Sequence, residues 1–276
     1  MTFSPQWHAL GREAELAAEQ IASGVTALGR ANHAEKGYYT QAFFGLSIGF
    51  ERLAKLIILA DYAITNSGKF PNDNDLKKIG HDIGTLLDKC EKLSIKHRSG
   101  KEHSERPNES VHQGIVTTLT EFGKLSRYYN LDFIVGGKAS QLPEPVATWW
   151  QRVGQPILTK HYSAHQQKID TAQSAAVATL MRKFTTVLHH TEEGAIIDDV
   201  EALMLRSGAS RIVQKYGRLY TLQLVRWLSF LISDLSSVGA YQKRIEPLLG
   251  LDEPFRMFLN DDRYLRGRKT WSIYRL

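Results

Sequence analysis

The stretch that decides the fold is Phe43-Phe44-Gly45-Leu46-Ser47-Ile48-Gly49-Phe50-Glu51-Arg52-Leu53-Ala54-Lys55-Leu56-Ile57-Ile58-Leu59-Ala60. Phe43, Leu46, Phe50, Leu53 and Ile57 recur at steps of three and four, so one face of an α-helix carries them all and must bury them. That helix is expected from about residue 34 to residue 65. Asn66-Ser67-Gly68 and the turn-rich Pro71-Asn72-Asp73-Asn74-Asp75 break it. Its longest apolar run, Leu56 to Ala60, meets Asp61 and falls far short of the roughly 20 residues that a membrane-crossing helix needs.

Outward from this helix, residues 6–28 are rich in Ala, Glu, Leu and Gln, lack proline and meet Gly29, which predicts a first helix. A third is expected over about 79–96. Residues 97–108 have almost no apolar content and are expected as a polar surface connector. A fourth helix follows over about 109–129, with Asn108 as its N-cap and Val111, Ile115, Leu119 and Phe122 on one side. Gly136-Gly137 and Pro143 with Pro145 then mark a soft boundary, dividing the chain into a helical domain at 1–135 and a helical C-terminal region at 136–276.

After Pro156 there is neither proline nor glycine until Gly194, which allows one very long helix or two with a kink. Val177, Leu180, Met181, Phe184 and Leu188 supply an apolar stripe there. Gly194 and Gly208 are expected to bracket a short helix, and Val213, Tyr216, Tyr220, Leu224, Trp227 and Leu231 define a strong one. No segment alternates with period two for long. The fold class is therefore all-α, an antiparallel helical bundle followed by a second set of long helices.

With 276 residues and 42% hydrophobic content the chain can build a genuine core. The single cysteine, Cys90, excludes an intrachain disulfide and a zinc ribbon, and is expected as a small core residue. The N-terminus Met1-Thr2-Phe3-Ser4-Pro5 has no signal-peptide pattern, so a cytoplasmic location is expected. Net charge is +6, which favours an acidic partner such as nucleic acid. Five of those charges can be assigned to Arg263, Arg266, Arg268, Lys269 and Arg275, in a tail without acids.

The second and third helices carry Tyr38-Tyr39 and Phe43, then Glu51 and Lys55 within Gly49-Phe50-Glu51-Arg52-Leu53-Ala54-Lys55, then Gly80-His81-Asp82-Ile83 with Leu86-Leu87. This pattern resembles the HEPN superfamily, whose members often place Glu and Lys four apart on one helix and open the next with His-Asp-Leu. Arg127-Tyr128-Tyr129 is similar to the Arg-Tyr-Pro that often closes the domain, with Tyr129 where proline would stand. The resemblance covers about residues 35–135. It implies a HEPN-like bundle and, for catalytic members, a metal-independent endoribonuclease acting as a dimer, as a toxin or phage-defence effector. Degenerate members are non-catalytic modules that bind RNA or a protein. An antitoxin or nucleotidyltransferase partner is a further habit of the family.

The residues have plainer readings as well. Four-residue spacing puts Glu51 and Lys55 on one face with the acid N-terminal, as in a surface ion pair. His81 is expected to be structural, with Asp82 facing the positive end of a helix. Arg127, Tyr129 and Asn130 fit a helix cap and loop anchor.

The resemblance implies an Arg, four to six intervening residues and a His. Metal-independent cleavage needs an imidazole to move the 2′-hydroxyl proton and a guanidinium to stabilise the charged phosphorane. Two spacings qualify: Arg98 with His103, and Arg106 with His112, the latter entering a helix although Pro107 follows its arginine. With ten histidines such spacings also arise by chance.

His161 and His165 are expected to share a helical face, but without the Glu of a zinc-protease helix. His189-His190 with Glu192-Glu193 lacks a diagnostic metal spacing, and Asp198, Asp199 and Glu201 extend it into an acidic patch that could answer the basic tail in a dimer. No phosphate-binding loop, dinucleotide turn or nucleophile elbow is present, and no metal or cofactor is expected. Trp149-Trp150 and the tail offer aromatic surface with charge. Arg266, Arg268, Lys269 and Trp271 could contact nucleic acid, or Trp271 and Tyr274 could dock across the helices.

Overall fold

The computed structural model describes residues 2–137 and 141–273, and among them the chain is all-α. The helices are α1 (Pro5–Leu28), α2 (Gly37–Thr65), α3 (Asp73–Ile79), α4 (Ile83–Arg98), α5 (Ser110–Glu121), α6 (Tyr129–Val135), α7 (Pro145–Trp149), α8 (Gln155–His161), α9 (Ala164–Met181), α10 (Val200–Ser237) and α11 (Asp262–Gly267). A two-residue hairpin, β1 (His189–His190) with β2 (Ile196–Ile197), joins α9 to α10. Among the described residues no helix is long and apolar enough to cross a membrane.

The stripe on α2 is buried as its period requires: Phe43, Leu46, Phe50, Leu53 and Ile57 lie in the core. The α1 face opposite them is built from Ala14, Ala17, Ala18, Ile21, Ala22 and Val25, small side chains that let the two backbones approach. Gly45 shows how close they come, because a Cβ there would sit 2.8 Å from the carbonyl oxygen of Gln20. The Phe43 ring meets Phe122 and Trp149, each at 5.4 Å between centroids. Cys90 is buried on α4.

The chain after residue 136 does not build a core of its own. Trp149, Trp150, Trp227, Phe255 and Phe258 join the α1 and α2 residues in one cluster, and α10 packs against α1, α2, α4 and α5. Among the described residues a small satellite, Ala178, Val187, Ile197 and Val200, stands apart.

Several local expectations are corrected. Gly208 ends no helix: α10 runs 38 residues through it, because glycine is needed where a Cβ would lie 2.8 Å from an Asp170 carboxylate oxygen. Of the two forms left open after Pro156 the chain takes the two-helix one, breaking at Tyr162-Ser163, where Ser163 caps α9 by accepting from the Gln166 amide. His161 and His165 therefore do not share a helix. Leu180, Phe184 and Leu188 do not form a buried stripe, since each is more than 70% exposed. Trp149 and Trp150 offer no surface, being fully buried. The fourth helix is capped at Glu109 rather than Asn108, and after Glu121 it widens into a π-helical turn, Phe122–Ser126. The connector is not wholly superficial, because Arg98 is buried against α10.

Candidate functional site

A cleft of about 580 Å³ opens between α1, α2, the turn before α4 and the π-helical turn, lined by Glu13, Glu51, Arg52, Lys55, His81 and Arg127. Four of the residues that carry the HEPN resemblance thus face one space. The i,i+4 spacing on α2 places Lys55 Nζ 2.8 Å from Glu51 Oε1. His81, in the turn before α4, brings Nδ1 to 2.8 Å from the same oxygen. A carboxylate only accepts, so Nδ1 carries the hydrogen and donates. The His81 side chain is 79% exposed, and its Nε2 has no partner among the described residues.

Burial alone would raise the Glu51 pKa, but hydrogen bonds from Lys55 and His81 outweigh it and hold the carboxyl below its ordinary value. Asp82 stands one residue further on as the N-cap of α4, accepting from the Thr85 amide at 2.6 Å and pairing with Lys124. The Lys124 hydrogen bond and then that amide lower its pKa. Arg52 is paired with Glu13 at 2.5 Å. Arg127 differs from the other cations of the cleft: it has no carboxylate partner among the described residues, and its buried Nε makes no hydrogen bond. The lining is thus two internally neutral ion pairs, a carboxylate-anchored imidazole and one uncompensated guanidinium.

The two Arg-His spacings are placed away from this cleft. His112 is 3% exposed. Its Nδ1 accepts from the Glu109 amide at 3.1 Å, so Nε2 donates to Gln223 Oε1 at 2.9 Å, and burial lowers its pKa. Arg106 points to α4, with Nη1 2.7 Å from Asp88 and 3.5 Å from Glu91. The pair has no partner in common, and neither ring nitrogen of His112 is free to handle a proton. Arg98 donates to the carbonyls of Phe230 and Glu102 and pairs with Asp234, while His103 stacks on Phe230 at 5.0 Å. Both clasp the 99–105 loop to α10, and a phosphate cannot reach the buried Arg98.

The tail is also largely engaged. Trp271 is 4% exposed, stacked on Phe258 at 5.6 Å, with its amide donating to Thr26 Oγ1 at 2.9 Å. It is therefore a docking residue and not a base-stacking platform. Arg268 lies over the Trp271 ring and donates to Tyr264 Oη, and the Arg266 carbonyl accepts from the buried Arg218. Lys269 is exposed. Tyr274 and Arg275 lie outside the described residues.

The histidine and acid cluster holds no metal-like arrangement. Glu192 is buried, accepting from Arg206 Nε at 2.7 Å and Tyr39 Oη at 3.3 Å. Asp199 caps α10. Among the described residues no three His, Cys, Asp or Glu side chains gather as a metal site. Sequence reasoning missed Glu13, Arg52 and Lys124, which enter through the crossing of α1 on α2 and the π-helical turn, and which no local motif marks.

No family model, no curated protein and no solved structure matches the chain.

Proposed function

We propose that the chain is a HEPN-like helical module that binds RNA in the cytoplasm, with Arg127 holding a phosphate in the cleft beside Lys55 and His81. The observation that carries this is the unpaired guanidinium among otherwise neutralised partners. A guanidinium matches phosphate oxygens with two parallel donors, and Arg127 has those donors uncommitted. The test is RNA binding by Arg127→Gln beside Arg106→Gln at fixed salt. Arg127→Gln loses affinity about tenfold, and Arg106→Gln, whose cation is already paired on α4, stays near the parent. Equal loss in both would refute the assignment.

A second reading, endoribonuclease action, is favoured by one observation. His81 is exposed, oriented by Glu51 through Nδ1, and shares the cleft with Arg127. An imidazole so held could take the 2′-hydroxyl proton on Nε2 while the guanidinium stabilises the phosphorane. A toxin or phage-defence role and a homodimer belong to this reading through the family resemblance. Incubation of RNA in chelator with the parent and His81→Ala tests it: cutting by the parent alone supports it, and no cutting by either leaves RNA binding as the function.

A further inference from the structure

Arg127 lines two spaces. On its other side lies a smaller hollow of about 200 Å³ between the π-helical turn, α6 and the start of α7, where Tyr128, Tyr129, Asn130 and Thr40 meet. It is below the about 300–1,000 Å³ typical of drug-sized ligands, a volume suited to one ring system. Its walls are of two kinds. Tyr128 presents a ring 64% exposed, and Tyr129 is held by stacking on Phe133 at 6.2 Å and 29°. Asn130 is exposed, and its side-chain amide makes no hydrogen bond among the described residues. Glu144, which also borders the hollow, is committed to the Ala147 amide at 2.7 Å as the cap of α7.

The helix that carries these residues is not built for packing. None of α6 is buried, and its apolar side chains Leu131, Phe133, Ile134 and Val135 are 61% to 78% exposed. A short helix that contributes nothing to the core, beginning on two tyrosines and an uncommitted amide directly after an unpaired arginine, has its cost of exposure to be explained by what it binds.

We propose that this hollow takes one unpaired base of a single-stranded nucleic acid whose phosphate rests on Arg127 in the adjoining cleft. Tyr128 supplies a face for stacking, which is tolerant of base identity. Asn130 offers both a donor and an acceptor to a base edge. A duplex can use the phosphate seat but not the hollow, because its bases are stacked and their faces closed, whereas an unstacked base can be splayed out onto an aromatic ring. The proposal rests on the RNA-binding reading of the cleft and narrows it to single strands.

The test is fluorescence anisotropy with three labelled probes of equal length: a single-stranded RNA, the same sequence as a duplex, and a ribose-phosphate strand without bases. The single strand binds about tenfold tighter than the other two. Tyr128→Ala and Asn130→Ala, at exposed positions that leave the fold intact, weaken the single strand alone, and Arg127→Gln weakens all three. Duplex and baseless strands binding as tightly as the single strand would overturn the base site while leaving the phosphate seat. So would a Tyr128→Ala effect equal on all probes. Failure of every probe to bind would overturn both, and binding of a protein by α6 in its place would identify the exposed apolar face as a protein contact.

Discussion

Oε1 of Glu51 lies 2.8 Å from Nδ1 of His81, so a part-buried carboxylate on α2 fixes the direction of an exposed imidazole before α4. The same oxygen holds Lys55. Glu51→Gln removes a negative charge from the mouth of the cleft and releases Lys55 and His81. RNA affinity rises about threefold, the scale of one partly exposed charge interaction. Binding isotherms of the two proteins at one salt concentration check this, and weaker binding by Glu51→Gln would mean that the carboxylate positions Lys55 and His81 productively.

His112 is an interior residue in this structure, joined to Gln223 across α5 and α10. His112→Ala removes the acceptor of the Glu109 amide and leaves Gln223 Oε1 without its donor. The loss is about 2–3 kcal/mol of stability, from one cap and one unsatisfied polar group. Urea unfolding reads the loss, and RNA affinity of the folded variant is unchanged. An undiminished stability together with lost affinity would return His112 to the functional site.

Burial lowers the pKa of His33, His103, His112 and His161 below the ordinary 6.5. Unfolded histidines therefore take up protons first as pH falls, and between 6.5 and the folded values the unfolded state binds more protons. Stability is full above about pH 6.5 and declines as pH drops through that window. The lowered carboxyls Glu51, Asp82 and Glu109 add their loss only further down, below about pH 4.5. Urea midpoints at pH 7.5 and 5.5 show the first decline, and His112→Gln makes it shallower. A flat profile would contradict the lowered pKa of these rings.

Trp271 anchors the C-terminal tail against α1 and Phe258. Trp271→Ala costs about 3 kcal/mol, the lower end for truncating a buried tryptophan. RNA affinity does not change. Thermal unfolding and binding, measured on one preparation, separate the two effects.

The fold was legible where periodicity is local. The steps of three and four from Phe43 to Ile57 specify a buried face by themselves, and α2 appears within a few residues of its expected span. Gly208 misled because glycine signals both a helix end and a close approach, and only the position of Asp170 distinguishes them. The site was legible in its members but not in their relation. Glu51 with Lys55 and His81 with Asp82 are short motifs on separate elements, and nothing local says that Arg127 closes the same cleft. Arg106 and His112 satisfied a spacing rule, yet the rule is blind to burial, and the partners Asp88, Glu91 and Gln223 lie 15 to 111 residues away.

The most direct test of the central claim is the salt dependence of single-stranded RNA binding by the parent and by Arg127→Gln. Each phosphate neutralised releases condensed counterions, so loss of one contact lowers the slope of log affinity against log salt by about 0.7 on a single strand. A slope reduced by that amount, with stability unchanged, is the predicted result. A slope and affinity equal to the parent's would contradict the assignment of Arg127 as the phosphate-holding residue.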